Sequence, residues 1–208
     1  MVTKTGTKLD AAFYLREDVV QISKDLLGKF LYTKIDGVLT GGMITETEAY
    51  CAPDDKASHA YNLKRTPRTE TMFLHGGTAY VYFCYGMHYL FNVVTNVKDV
   101  PHAVLIRSIE PIEGVEIQLQ RRNLDKIHPR ITSGPGATAK ALGITKSQNA
   151  KSLCSDEIWI EDQGIKILGN NIVAAPRVGV DYAGEYALLP WRFYISTNKF
   201  VSKRVKRT

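Results

Sequence analysis

Hydrophobic residues recur at helical spacing over residues 17–27, where Val19, Ile22, Leu26 and Leu27 form one stripe and Gly28 follows as a residue suited to the position past a helix end. This predicts a first helix. Residues 29–35 and 38–50 then flank Asp36-Gly37, a dipeptide that permits the positive backbone angles of a tight hairpin, and predict two antiparallel strands with a bulge near Gly41-Gly42. From Tyr50 to Phe73 the period disappears and Pro, Asp, Asn and Arg dominate, which predicts a long irregular excursion of the functional kind. Aromatic and β-branched residues at 78–84 and 89–95, around Tyr85-Gly86-Met87-His88, predict a second hairpin with an apolar tip. A strand over 103–109 and a helix over 112–122 follow. Ser133-Gly134-Pro135-Gly136 reads as a turn into a short helix around Lys140, and 157–161, 165–168, 173–180 and 192–195 read as short strands.

The length of 208 residues, 44% of them hydrophobic, suits one core, so a single domain over 1–208 is expected, with a flexible N-terminus (about 1–10) and a basic tail (about 203–208). Thr71 to Val97 contains no Asp, Glu, Lys or Arg, yet Gly76, Gly77 and Gly86 and many polar side chains make it a poor membrane span. The first twelve residues carry Lys4, Lys8 and Asp10 without an apolar run, which argues against a secretory signal. Three cysteines without CxxC spacing point to neither a disulfide framework nor a cysteine zinc site, and no metal is expected. The location expected is the cytoplasm of a bacterial-type cell, beside the nucleoid. A formal charge of +6 favours an anionic partner, nucleic acid foremost, although it also suits mere solubility.

The sequence contains no GxGxxG after a strand, no GxxxxGK[ST], no HExxH and no GxSxG, which removes nucleotide-driven chemistry, HExxH-type zinc hydrolysis and the common serine hydrolases as leading readings. Three features remain. Glu46 and Glu48 alternate onto one face of an otherwise apolar strand, as an exposed edge or as carboxylates held at a cleft. Arg107 sits within a buried strand and needs a carboxylate or phosphate partner, with Glu46 or Glu48 as natural mates. Tyr85 and Met87 occupy an exposed turn, where apolar groups serve as core packing or as a wedge entering the minor groove. Tyr50, Tyr82 and His59 then offer flat surfaces and hydrogen bonds to a base swung out of the duplex.

In order and spacing, the strings Glu46-Thr47-Glu48-Ala49-Tyr50, the segment 54–59, Thr66-Pro67-Arg68-Thr69-Glu70-Thr71-Met72-Phe73, Gly77 to Met87, Leu105 to Pro111, Ser133-Gly134-Pro135, Arg177-Val178-Gly179-Val180 and Trp191-Arg192-Phe193-Tyr194 resemble the alkyladenine (3-methyladenine) DNA glycosylase family. The resemblance runs from about Leu26 to Ser202. It implies an α+β fold: a compact single domain with a mixed, curved, antiparallel-rich sheet, flanking helices and a protruding DNA-intercalating β-hairpin. It implies a monofunctional enzyme, acting as a monomer without a cofactor. The partner would be double-stranded DNA containing 3-methyladenine, 7-methylguanine, hypoxanthine or ethenoadenine.

By the same resemblance Glu48 activates the water and Arg107 holds Glu48. Tyr50, His59, Tyr82 and Asn92 contact the flipped base, Asn92 excluding purines that bear the normal guanine amino group. Tyr85, Met87 and Met72 contact DNA, and Arg68, Lys140 and Arg177 are expected to contact it as well. Two positions depart from the family pattern. Ala137 stands where a basic residue is common, with Lys140 about a helical turn later, and Glu70 lies in a loop better served by a basic or neutral residue. The reading in another class is a non-catalytic damaged-DNA-binding protein using the same wedge. A formyltransferase-like or RNA-binding relative is the third, and no residue marks a site for it.

Overall fold

The computed structural model describes residues 6–202. In chain order the elements are β1 (Thr7–Lys8), α1 (Ala11–Tyr14), α2 (Val19–Asp25), β2 (Phe30–Ile35), β3 (Val38–Cys51), β4 (Ala79–Cys84), β5 (His88–Thr95), β6 (His102–Glu113), α3 (Val115–Arg122), α4 (Pro135–Leu142), β7 (Ile158–Asp162), β8 (Ile172–Ala175) and β9 (Arg192–Ile195). They build one compact domain on an open sheet of order β1-β7-β2-β3-β6-β5-β4, with β9 pairing to β3 and carrying β8. The expected mixed sheet is corrected here: every pairing among the described strands is antiparallel. The turns joining β2 to β3 and β4 to β5 are too short for the crossover that a parallel pair requires, and the longer connections also return antiparallel.

The strand β3 organises the sheet. It pairs with β6 from Gly41 to Cys51, while its other edge pairs first with β2 (38–43) and then with β9 (46–48). Two compensating bulges interrupt the β3–β6 ladder: Thr45 is the extra residue on β3, and Arg107 the extra residue on β6. The anticipated irregularity at Gly41-Gly42 is present as a further register shift against β6.

Period-two alternation divides the sheet residues between two clusters. Val81, Phe91, Val93, Val104, Ile106 and Ile109 face the main core, where Ile22 and Leu26 of the α2 region, Leu142 of α4 and Ile160 of β7 meet them. Tyr80, Val94 and Ala103 face the other way and pack with Met72, Phe73, Ala52 and Ala60 from the irregular excursion, which includes short 3-10 turns at Tyr61–Leu63 and Glu70–Phe73.

Several boundaries differ from the sequence-based expectation. Helix α3 starts only at Val115, because β6 continues through Glu113 to pair with Gly41. Residues 165–168 form no strand, and β8 ends at Ala175, where Pro176 removes the ladder donor. The single turn α1, capped by the Asp10 carboxylate on the Phe13 N–H, carries too few residues to show a helical period. Thr7–Lys8 fall within the stretch assigned to a flexible N-terminus, and they pair with β7. The basic tail at 203–208 lies outside the described residues. No helix among the described residues is long and apolar enough to cross a membrane.

Candidate active site

A row of cross-strand partners runs Tyr80–Asn92–Leu105–Glu48–Arg192 through β4, β5, β6, β3 and β9. Tyr82, Val94, Ala103 and Tyr50 lie two residues along their strands and share its face. This face and the loops above it enclose a cavity of 540 Å³, whose lining includes Tyr50, His59, Tyr82, Asn92, Arg107 and Tyr182. The volume falls within the roughly 300 to 1,000 Å³ usual for small-molecule sites.

Glu48 is fully buried and lies directly behind the lining, touching three of its residues, Tyr50, Arg107 and Val178. Its Oε1 accepts the Val178 N–H at 2.8 Å, and its Oε2 accepts the Tyr50 hydroxyl at 2.9 Å and lies 3.2 Å from Arg107 Nη1. A carboxylate offers about four acceptor positions, so these three donors leave room for one more. Arg107 Nε donates to Glu46 Oε1 at 3.0 Å, and Glu46 also takes Arg192 Nη1 at 3.0 Å, Ser108 Oγ at 3.1 Å and the Ser202 N–H at 2.6 Å. Two carboxylates and two guanidiniums thus form a buried, charge-balanced group.

The two carboxylates are pushed in opposite directions. Burial, the largest influence on Glu48, raises its carboxyl above the ordinary range, against the lowering effects of Arg107, the Val178 N–H and Tyr50. Burial would lift Glu46 as well, but the Arg107 charge and the Ser202 and Arg192 hydrogen bonds outweigh it and hold that carboxyl low. The retained proton affinity therefore resides on the carboxylate nearer the cavity.

The walls are aromatic. The His59 ring stands edge-on to Tyr82, with centroids 4.7 Å apart, and its Nδ1 lies 3.0 Å from the Tyr80 hydroxyl. The Arg68 guanidinium sits 4.9 Å from the Tyr82 centroid and faces His59 Nε2 at 3.5 Å. Arginine can only donate, so Nε2 is the bare nitrogen and the imidazole proton is on Nδ1. Burial, with the Arg68 charge second, lowers His59 to about 4. Asn92 is buried in the floor, its Nδ2 donating to the Tyr80 carbonyl at 3.1 Å.

At the β4–β5 turn Tyr85 and Gly86 both adopt positive φ, 52° and 69°, and the Met87 N–H donates to the Cys84 carbonyl at 3.2 Å. Tyr85 is 85% exposed and Met87 68%, so the apolar tip predicted from sequence is not core packing. A non-glycine residue at positive φ with its ring in solvent is held there by the turn rather than by burial.

The structure places Tyr50, His59, Tyr82, Asn92, Arg107 and Arg68 in the cavity lining, with Glu48 buried behind it against Tyr50, Arg107 and Val178. Two of the residues expected to contact DNA are buried. Arg177 is buried, pairing bidentately with Asp55 at 2.6 and 2.8 Å and donating to the Ala49 and Tyr186 carbonyls, which leaves its charge spent inside the protein. Met72 is only 2% exposed, packed in the second cluster and lining the cavity from below. Lys140 is exposed on the last turn of α4, apart from the cavity lining. Glu70 is held bidentately by Arg65 at 2.9 and 2.8 Å, so its carboxylate is paired.

Sequence reasoning missed Asp55, Arg192, Val178 and Tyr182 as site residues. Arg192 carries the same signal that drew attention to Arg107, a lone cation within an apolar strand. The Val178 contribution is a backbone N–H, to which side-chain identity gives no clue. Among the described residues no group of three or more His, Cys, Asp or Glu is arranged to hold a metal.

Residues 12–199 match the family model for methylpurine-DNA glycosylase. Proteins bearing the name "Putative 3-methyladenine DNA glycosylase" are similar over nearly their whole lengths. The one from Chlamydia felis is 48% identical over 198 residues, 95% of this chain and 100% of its own. Those from Clostridium perfringens (strain 13) and Natranaerobius thermophilus are each 45% identical, over 95% and 94% of this chain and 100% and 98% of theirs. With nine-tenths of its length matched, the chain belongs to the methylpurine-DNA glycosylase family.

Proposed function

We propose that this protein hydrolyses the N-glycosidic bond of damaged purines in duplex DNA, taking 3-methyladenine, 7-methylguanine, hypoxanthine and ethenoadenine as substrates and leaving an abasic site. One observation carries the reading: a fully buried glutamate of raised proton affinity, held by three donors whose residues, Tyr50, Arg107 and Val178, themselves line an aromatic cavity of purine-accommodating size.

Breaking the bond sends both electrons to the purine and leaves an oxocarbenium-like sugar, which a nearby anion stabilises. The open acceptor position of Glu48 takes a hydrogen bond from the attacking water. As the water oxygen bonds to C1′, its proton passes to Glu48. Arg107 and the Val178 N–H keep the carboxylate aimed, and the rings of Tyr50 and Tyr82 flank the purine. A base methylated to a cation leaves without further protonation. Among the described residues no lysine lines the cavity, which favours water over an amine as the nucleophile and no strand cleavage.

Tyr85, already exposed and aimed by the turn, fills the gap left by the extruded nucleotide. The test is abasic-site formation in duplexes carrying hypoxanthine or 7-methylguanine. Glu48→Gln should lose at least about 100-fold in rate, the low end for a general base, while still binding the lesion duplex. Cleavage by Glu48→Gln at the wild-type rate overturns the assignment, and a wild-type protein that binds without cleaving leaves a damage-recognition module in its place.

A further inference from the structure

Arg68 is a charge that the hydrolysis just described does not use. Arg65, Arg107, Arg177 and Arg192 each meet a carboxylate, whereas among the described residues none pairs with Arg68. It lines the cavity instead, over the Tyr82 ring and against the unprotonated nitrogen of His59. Its charge also acts on the Tyr80 phenol, which burial, against the lowering effect of Arg68, pushes up to about 12. His59 stays neutral down to about pH 4, so the polar wall on the base side carries the charge of a single guanidinium. The carboxylate of Glu48 lies below.

We propose that Arg68 determines which charge class of purine the cavity favours, promoting the departure of neutral damaged bases relative to cationic methylated ones. The inference rests on the glycosylase reading. Loss of the glycosidic bond turns a neutral purine into an anion and a cationic purine into a neutral molecule, with the water proton on Glu48 and the purine anion protonated afterwards by solvent. The change in base charge is the same in both cases, so a fixed cation assists the bound chemical step equally. Discrimination arises relative to free DNA. At the transition state a neutral purine already carries negative charge attracted by the guanidinium, whereas a cationic purine still holds part of its positive charge and is repelled. Docked duplex over the cavity mouth displaces water and reduces the screening of this exposed side chain. A fixed cation thus takes the part that a proton donor would otherwise play for hypoxanthine.

The measurement is single-turnover cleavage of matched duplexes containing hypoxanthine or 7-methylguanine by wild type, Arg68→Met and Arg68→Lys, read as kmax and kmax/K½. Arg68→Met should lower kmax on both duplexes and reduce the hypoxanthine-to-methylguanine ratio of kmax/K½ by roughly tenfold, a Coulomb effect discounted for exposure. Arg68→Lys, which keeps the charge, should hold that ratio near wild type. If Arg68→Met weakens both duplexes in step through K½ and leaves the ratio where it was, Arg68 is a phosphate contact and the inference fails. A ratio lost in Arg68→Lys as well would show that shape, not charge, is read. Wild-type protein that cleaves neither duplex defeats the glycosylase reading itself, an outcome distinct from either of these.

Discussion

Arg107 Nη1 stands 3.2 Å from Glu48 Oε2 where β6 and β3 carry compensating bulges. The bulge frees Arg107 from regular pairing and lets one guanidinium reach Glu46 through Nε and Glu48 through Nη1. The geometry of this pair therefore depends on ladder irregularities, and its electrostatics on a second buried carboxylate, Glu46, that shares the same guanidinium.

The first prediction concerns pH. In the proposed reaction Glu48 must be ionised to accept the water proton, and burial raises its carboxyl above the ordinary 4.5. As pH falls through that raised value Glu48 becomes protonated and the rate drops, so the acid limb of kmax on 7-methylguanine duplex should have its midpoint above 4.5. A cationic lesion is chosen so that protonation of the leaving base does not enter. A midpoint at or below the ordinary carboxylate value would contradict the assignment.

Glu46→Gln should move that limb to lower pH. The Glu46 charge raises Glu48, and without it Arg107 attends Glu48 alone; both changes favour the ionised form. The same substitution leaves two buried guanidiniums short of one negative charge, and a loss of about 3 to 5 kcal/mol in urea unfolding should accompany it. Loss of stability with an unmoved limb would mean that Glu46 is structural only.

Tyr85→Gly separates fold from capture. The φ of 52° favours glycine, and the ring is 85% exposed, so stability should be kept or raised by up to about 1 kcal/mol. Affinity for a lesion duplex should fall by about 1 to 3 kcal/mol, the range for losing an aromatic stack on nucleic acid. Wild-type binding should also weaken steeply with salt as counterions are released. Titrations by fluorescence anisotropy read both effects, and an affinity unchanged by removing the ring would exclude the wedge.

Asp55→Asn should destabilise the protein by about 3 to 5 kcal/mol, because it strands the Arg177 charge in the interior. Asp55 also accepts the Cys51 and Ala57 N–H groups, and Arg177 lies 4.8 Å from the Tyr50 ring, so this pair secures the excursion to the cavity wall. In a double-mutant cycle with Arg177→Met the combined loss should be clearly smaller than the sum of the single losses. Strict additivity would show that the two side chains are not coupled.

The hairpins were legible in the chain because their signals are local: Asp36-Gly37 and Tyr85-Gly86 lie at turns with positive φ, and the flanking residues are β-branched or aromatic. Glu46, Glu48 and Arg107 stood out as charges within apolar strands, and their mutual pairing followed from burial. The fork in β3 was not legible, since two strands far apart in sequence share one edge and no local pattern encodes that. The burial of Arg177 was not legible for a related reason: the residue lies in a stretch read as a strand, and only the fold brings Asp55 against it, 122 residues away.

The placement of Glu48 on the strand with three partners constrains how this protein can move and change. A residue there is tied on both edges to the centre of the molecule, so it cannot shift without disturbing the whole. Adjustment to differently shaped lesions falls to the parts that only lean over the opening: the excursion bearing His59 and Arg68, the β4–β5 tip, and the segment bearing Tyr182. Divergence among such proteins in what they excise should accordingly accumulate around the rim, while the anvil beneath stays fixed.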